Sequence, residues 1–321
     1  MNTPQLSLLE KNPLLKRVWK CFMEAYPKAL KTSLWLLKIM VPVTFAVVIM
    51  NYTGILAWVS AFVAPLFEYI GLPGESAFVL ITSIFTNVYS AIAVITTLGF
   101  GLREATLLAL MCLISHGFII ESAVVKKTGS NLFRMLLVRL ISSFVAAILI
   151  NLILPEMQGR VGLQTELVDL SLTEMIKNWA SNTFFLMMKI VFLVTALMFL
   201  QKLLEEFGVI KSLYRPLRPI MKIMGLPENT SLSWIAANTL GLAYGAAIII
   251  DEVEQGHMSK EDADLLNHHI VVSHSQLEDP LLFAAIGIPM FWIIWPRIVF
   301  AIIAVWLRKL EMMIRKKPNQ I

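Results

Sequence analysis

Apolar residues fall in long runs along this chain, at 34–50, 77–99, 141–154, 184–200 and 281–295, separated by shorter polar stretches. The first and fourth runs are each interrupted by one lysine, Lys38 and Lys189. About 20 apolar residues in a helix cross the ~30 Å hydrocarbon layer, so these runs predict membrane-spanning helices. No water reaches the backbone there, and a helix satisfies its own peptide groups. A spanning barrel shows alternating segments of ~10 residues instead, a pattern missing here. The expected fold class is all-α, a polytopic membrane protein with broken or re-entrant helices.

The hydrophobic pattern repeats. Gly71-Leu72-Pro73 recurs as Gly225-Leu226-Pro227, an offset of 154 that also aligns Gly54 with Gly208 and Pro65 with Pro219. Ser115-His116 recurs as Ser273-His274, an offset of 158 that aligns Glu121 with Asp279, Gly129 with Gly287 and Arg139 with Arg297. The four extra residues fall in the acidic stretch 251–264. Two sequence-related halves result, and such repeats decide architecture. Each half reads as a first span (33–51, 184–204), an amphipathic stretch (54–70, 209–224) and a second span (75–98, 230–250). A polar-interrupted segment follows (105–125, 264–286), then a final span (130–153, 288–307). The expected domains are a basic amphipathic N-terminal segment 1–32, a first repeat 33–154, an external linker 155–182, a second repeat 183–308 and a basic tail 309–321.

Charge orients this pattern. The first 32 residues hold six Lys/Arg, and the tail holds Arg308, Lys309, Arg315, Lys316 and Lys317. Basic flanks stay cytoplasmic, so both termini are expected inside. The linker carries four acids against Arg160 and Lys177, and is expected outside. Each half then crosses an odd number of times, which inverts the second half against the first. Three crossings plus a re-entrant segment per half are favoured over five, because Lys211, Arg215, Arg218 and Lys222 suit 209–224 to a cytoplasmic surface. The expected location is the inner membrane, with the bilayer as partner and an oligomer of identical chains compatible with the pattern.

Composition agrees: 57% of residues are hydrophobic, 15% are charged, and mean hydropathy is +0.73. Soluble domains are nearer ~45–50% apolar and ~25% charged. The N-terminal lysines precede no early apolar segment, so no cleavable signal peptide is expected. They suit a surface helix on anionic lipid, not nucleic acid. Two cysteines, Cys21 and Cys112, offer no disulfide framework.

Ionisable residues inside apolar stretches carry the candidate chemistry. His116, Glu121, His274, Glu278, Asp279, Arg139 and Arg297 are of this kind. An unpaired charge at mid-membrane costs at least ~2.5–3.5 kcal/mol, so each demands a partner or water. The economical arrangement pairs Glu121 with Arg139 and Asp279 with Arg297. Such pairs either only staple helices or frame a polar site. If 268–280 were one helix, His274 and Glu278 would share a face, and Pro280 favours a break with free carbonyls. Broken helices mark binding sites in transporters built from inverted repeats. The histidines and acids also suit a transition metal. Because the first half supplies only His116 and Glu121, the repeat argues against a symmetric metal site. His268 and His269 read as residues near the interface. Asn87, Tyr89, Asn238 and Tyr244 on the second spans suit a solute cavity. The small residues beside them, Gly241, Ala243, Gly245 and Ala247, suit tight helix packing. No nucleotide-binding or hydrolase motif is present, and neither enzyme activity nor a cofactor is expected. Ser273 and His274 are adjacent on a helix, so they point ~100° apart and make a poor nucleophile pair.

The stretch Gly71-Leu72-Pro73-Gly74-Glu75-Ser76-Ala77, continuing through Thr86-Asn87-Val88-Tyr89-Ser90-Ala91-Ile92-Ala93-Val94, resembles the Gate-domain family. That is the nucleoside recognition domain of nucleoside transporters, ferrous-iron transporters and spore-maturation membrane proteins. The Ser-His, acid and downstream Arg residues fit it in both halves, so the resemblance covers about 35–153 and 184–307 and suggests a stand-alone bacterial member with two Gate units. It implies a transport-like membrane fold without fixing a substrate. The chain departs from ferrous-iron transporters in lacking a GTPase domain and a second-span cysteine. The expected function is a permease moving a small polar solute, nucleoside-like or other, through a site between the halves. The alternatives are a membrane scaffold or assembly subunit, and a divalent-cation transporter.

Overall fold

The first helix is far longer than one span. In the computed structural model, which describes residues 12–162 and 171–316, α1 runs unbroken through Pro13–Tyr52. Its start is set by Asn12, whose side chain accepts from Leu14 N and Leu15 N, with Pro13 in the first turn, where a missing N–H costs nothing. The basic stretch expected as a separate surface element is therefore, from residue 13, the first part of the spanning helix. Residues 1–11 of that expected segment lie outside the described residues. The buried positions Cys21, Ala25, Ala29, Ser33, Leu36, Met40 and Thr44 recur every three or four residues, one stripe of a 3.6-residue period.

That stripe packs on α8 (Leu172–Glu206), which opens with a Ser171–Glu174 capping box. The linker is thus shorter than expected, ending at 171 instead of 182, and its residues 163–170 lie outside the described residues. Arg17 meets Glu206 at 2.9 Å, Phe22 meets Phe199 at 5.6 Å between ring centres, and Trp179 Nε1 donates to Thr44 Oγ1 at 3.1 Å. Early α1 residues touch late α8 residues, so the two helices are antiparallel.

The remaining elements follow the repeat. The first half continues α2 (Ile55–Glu68), α3 (Ser76–Phe85), α4 (Val88–Leu98), α5 (Leu102–Ser115), α6 (Phe118–Lys127) and α7 (Leu132–Ile153). The second continues α9 (Val209–Ile223), α10 (Ser231–Thr239), α11 (Leu242–Glu254), α12 (Lys260–Ser273), α13 (Asp279–Ala284) and α14 (Met290–Lys316). α2, α4, α5 and α7 begin at 55, 88, 102 and 132, and their counterparts begin at 209, 242, 260 and 290, which are the sequence offsets of 154 and 158. The change of offset falls between the starts of α11 and α12, in the acidic stretch. α7 and α14 also run antiparallel, since Arg134 near the start of one meets Glu311 near the end of the other at 3.1 Å.

Among the described residues, no strand forms beyond one isolated bridge between Gly101 and Arg160. Four helices among the described residues are long and apolar enough to cross a membrane, α1, α7, α8 and α14. Their outward faces carry exposed apolar side chains such as Trp35 on α1, Leu152 on α7 and Phe192 on α8, the expected face toward lipid. α5 is different: every residue from Ala105 to Ser115 is buried. Its counterpart α12 is buried from Leu265 to Ser273. A helix covered on all sides is a central element, and these two carry the histidines at their C-terminal ends.

The second spans are not continuous, contrary to the expectation from hydropathy. α3 ends at Phe85 because Thr86 leaves helical geometry (φ −122°, ψ −96°) and Asn87 starts a new helix, its Oδ1 accepting from Ser90 N. The equivalent break lies at Leu240-Gly241, where Gly241 holds φ +88°. The stretch 268–280 also departs from expectation. α12 stops at Ser273 and Pro280 sits in the first turn of α13, so Pro280 opens a helix and the break precedes it.

Candidate functional site

Two helix ends meet inside the protein. α5 stops at Ser115 and α12 at Ser273, and in each the next residue is a histidine in extended geometry, with ψ 161° at His116 and 164° at His274. The following residues, Gly117 (φ +61°) and Ser275 (φ +54°), turn the chain in the left-handed region. Glycine adopts that conformation freely; serine does so at a cost of about 1–2 kcal/mol. Each turn is tied to the preceding broken span: Gly117 N donates to Ser83 O at 2.9 Å, and Ser275 N donates to Ala237 O at 3.0 Å.

Stopping a helix in a dry interior leaves carbonyls without partners. One arginine per half supplies them. Arg139 on α7 donates from Nε to Ile114 O at 2.8 Å and from Nη2 to His116 O. Arg297 on α14 donates from Nε to Val272 O at 3.2 Å and from Nη2 to His274 O at 2.6 Å. Both guanidiniums are buried, 2% and 0% exposed. Their common structural task is to cap a broken helix where water is scarce.

The side chains converge on one point. His116 Nε2 lies 3.3 Å from His274 Nε2. Glu121 on α6 places Oε1 3.0 Å from His116 Nε2 and 3.2 Å from His274 Nε2. Its other oxygen, Oε2, is held by Arg139 Nη1 at 2.5 Å, which is the ion pair expected in the first half. Asp279, at the start of α13, brings Oδ2 to 3.6 Å from His116 Nε2. His116, Glu121, His274 and Asp279 therefore form one centre built from both halves. The sequence argument is against a symmetric metal site, and the tight set here is asymmetric, one histidine from each half and Glu121 from the first alone.

The second expected ion pair does not form. No salt bridge joins Asp279 to Arg297 among the described residues; Asp279 faces His116 instead. Asp279 opens its six-residue helix whereas Glu121 lies one turn inside α6, and the aspartate side chain is one methylene shorter. Asp279 Oδ2 and Arg297 Nη1 are both buried without a hydrogen-bond partner.

The histidine tautomers follow from their backbone contacts. His116 Nδ1 lies 3.0 Å from Cys112 O, and His274 Nδ1 lies 2.9 Å from Ile270 O. A carbonyl only accepts, so Nδ1 carries the hydrogen in both rings. In the neutral rings, two Nε2 lone pairs then face each other and the Glu121 carboxylate. Three acceptors within 3.3 Å repel unless a cation, a proton or a metal ion, stands among them.

Around this centre, Glu278 is held by Tyr89 OH at 3.1 Å and by Gln201 Nε2 at 3.0 Å. His274 and Glu278 do not share a helix face, because the helix has ended between them. Gln201 was not legible in the sequence, since it closes an apolar run on α8. Asn87 caps α4 and leaves Nδ2 unpartnered; Asn238 donates to Trp234 O at 2.9 Å and leaves Oδ1 unpartnered. Gln276, in the second break, is half-buried, and both of its amide atoms are buried without a hydrogen-bond partner. Tyr244 lies on α11, and its side chain is outside the described part of the protein. His268 and His269 are buried within α12, 3% and 0% exposed, and Ser273 Oγ contacts His269 Nδ1 at 2.8 Å, not His274. Gly245 serves packing: a Cβ there would lie 2.4 Å from that of Ala237.

Access to the centre is closed, with His274 only 1% exposed. A cavity of about 320 Å³ lies toward the linker, lined in part by Thr96, Trp179, Asn182, Lys189 and Ala285. Lys189 Nζ donates to Ala285 O at 3.1 Å across it. Ala285 directly follows α13, so this cavity adjoins the helix that carries Asp279.

Residues 33–131 match the Gate family, described as nucleoside recognition. The uncharacterized membrane protein YvoD of Bacillus subtilis (strain 168) is 30% identical over 289 residues, covering 88% of this chain and 92% of that protein. No solved structure matches the chain.

Proposed function

The chain belongs to the Gate family of membrane proteins, and on that premise we propose that it is a permease that moves a small polar solute or cation through the His116–Glu121–His274–Asp279 centre. The observation that carries this reading is the 3.3 Å approach of His116 and His274. Equivalent residues of two repeats meet at a break in the helices, which is where transporters of inverted repeats bind their cargo. Ionisable groups held inside a membrane are costly and point to function by default. The antiparallel pairing of α1 with α8, and of α7 with α14, supports halves of opposite orientation, with both termini cytoplasmic and residues 155–171 outside. In this reading Asn87, Asn238, Gln276, Tyr89 and Glu278 surround the cargo. The cavity beside Lys189 and Ala285 is the outward vestibule, closed from the centre in this conformation.

The second reading is a scaffold or assembly subunit, and the closed packing around His274 favours it. Uptake into proteoliposomes separates the two. Wild-type chain should carry at least one member of a panel of radiolabelled nucleosides, amino acids and divalent cations. His274→Ala should lose that flux, and His257→Ala, exposed and remote from the centre, should keep it. No flux above empty liposomes for any member, with the protein correctly inserted, would leave the scaffold.

A further inference from the structure

The chemistry of the centre narrows its ligand. Its three closest donors are His116 Nε2, His274 Nε2 and Glu121 Oε1, spaced 3.0, 3.2 and 3.3 Å apart. Points with those separations lie on a circle of radius about 1.8 Å. An ion about 1 Å off their plane sits about 2.1 Å from each, which is the zinc–nitrogen and zinc–oxygen bond length. Calcium demands longer bonds and only oxygen donors.

We infer that His116, His274 and Glu121, with Asp279 as an outer acid beside His116, form a binding site for one divalent first-row transition-metal ion. Three features of the site agree. Both imidazoles present Nε2 as a bare lone pair, because their Nδ1 hydrogens are fixed on Cys112 O and Ile270 O. A ring hydrogen bonded to a backbone carbonyl is the usual outer support of a metal-binding histidine. Glu121 is oriented by Arg139 on Oε2, which turns Oε1 toward the two rings. Asp279, 7% exposed, brings an oxygen without a hydrogen-bond partner to 3.6 Å from His116 Nε2. Two imidazoles and one carboxylate suit zinc, iron, cobalt or nickel, and leave no thiolate to draw copper(I).

The charges of the neighbourhood decide how strongly it holds a dication. Glu121, Asp279 and Glu278 oppose Arg139 and Arg297, so a divalent ion leaves one positive charge in excess. That excess weakens retention, which suits an ion that passes through more than one that stays. Metal is thus assigned here as cargo or coupling ion of the permease site. This step rests on the transport reading, whereas the binding site itself does not.

The test is a titration of purified, chelator-treated full-length chain in lipid nanodiscs with Co²⁺ alone, read by visible ligand-field absorption. One equivalent should bind per chain and be displaced by Zn²⁺. His116→Ala and His274→Ala should each weaken binding by far more than the about 10-fold typical of losing an outer support. Asp279→Asn should weaken it by about 10-fold, and His257→Ala should leave it unchanged. Glu121→Gln provides a variant that keeps the shape of the centre if a histidine variant fails to fold. No saturable Co²⁺ binding would overturn the assignment and leave a proton as the cation between the rings. Binding unaffected by both histidine and Glu121 substitutions would overturn it equally. Metal binding without any proteoliposome flux keeps the site and removes the permease; flux of an organic solute without metal binding does the reverse.

Discussion

His116 and His274, 158 residues apart in the chain, point their Nε2 atoms at each other across 3.3 Å. Each occupies the same place in its half, directly after a buried helix and directly before a left-handed turn. Duplication alone explains the likeness of the two sites; opposed packing of the halves explains why they meet. Each half contributes an arginine-capped helix end and an acid, and the histidines are brought to the boundary between them.

The arginine caps should matter more than ordinary ion pairs. Arg139→Ala strips partners from Ile114 O and His116 O and leaves Glu121 as an uncompensated buried charge. Breaking a buried pair this way costs about 3–5 kcal/mol. Unfolding in detergent should show a loss of that size for Arg139→Ala. A double-mutant cycle with Glu121→Gln should give a coupling above about 1 kcal/mol. The same cycle for Arg297 and Asp279 should give a smaller coupling, because they form no direct pair. Equal coupling in both halves would contradict the asymmetry described here.

Tyr89 ties the first half to the second through Glu278. A hydrogen bond to a charged group contributes about 1.5–3 kcal/mol. Tyr89→Phe should lower unfolding stability by that amount, and a further Glu278→Gln substitution should add little. A Tyr89→Phe chain as stable as wild type would remove this link.

Gly245 sits where α11 crosses α10, with no room for a side chain. Gly245→Ala should therefore destabilise by about 1–3 kcal/mol, the usual cost of overpacking. Thermal unfolding of the two proteins side by side checks it, and an unchanged midpoint would mean the helices can separate cheaply.

Orientation is open to direct chemical labelling. Glu156 and Arg315 both carry exposed side chains, at 94% and 70%. With Cys21 and Cys112 replaced, Glu156→Cys should react with a membrane-impermeant maleimide in intact cells. Arg315→Cys should react only after the membrane is opened. Labelling of both positions from the same side would end the inverted arrangement.

Much of this architecture is legible in the sequence, and the gaps have physical causes. The spans show because apolar runs of this length have little else to do. The register of the halves shows because Gly71-Leu72-Pro73 and Ser115-His116 mark turns that both copies need. That same register places His116 opposite His274. The breaks at Thr86-Asn87 and Leu240-Gly241 do not show, since hydropathy is blind to a two-residue change of backbone direction. The continuity of α1 was hidden by Lys28 and Lys31, which look like a boundary but lie along an exposed face. The offset that pairs Glu121 with Asp279 wrongly implies equal ion pairs, because register gives the position of a residue and not the length of the helix that aims it. Gln201 carries no signal at all; only the fold brings it to Glu278.

A single functional centre shared by both halves is tested most directly by initial rates of proteoliposome uptake, using whichever panel solute the wild-type chain carries. His116→Ala, His274→Ala and the double variant are compared at equal, correctly inserted protein. One shared centre predicts that each single substitution lowers uptake to the level of empty liposomes and that the double variant is no lower. Single variants that each keep about half the wild-type rate, as two separate pathways would, or that keep all of it, would contradict the account.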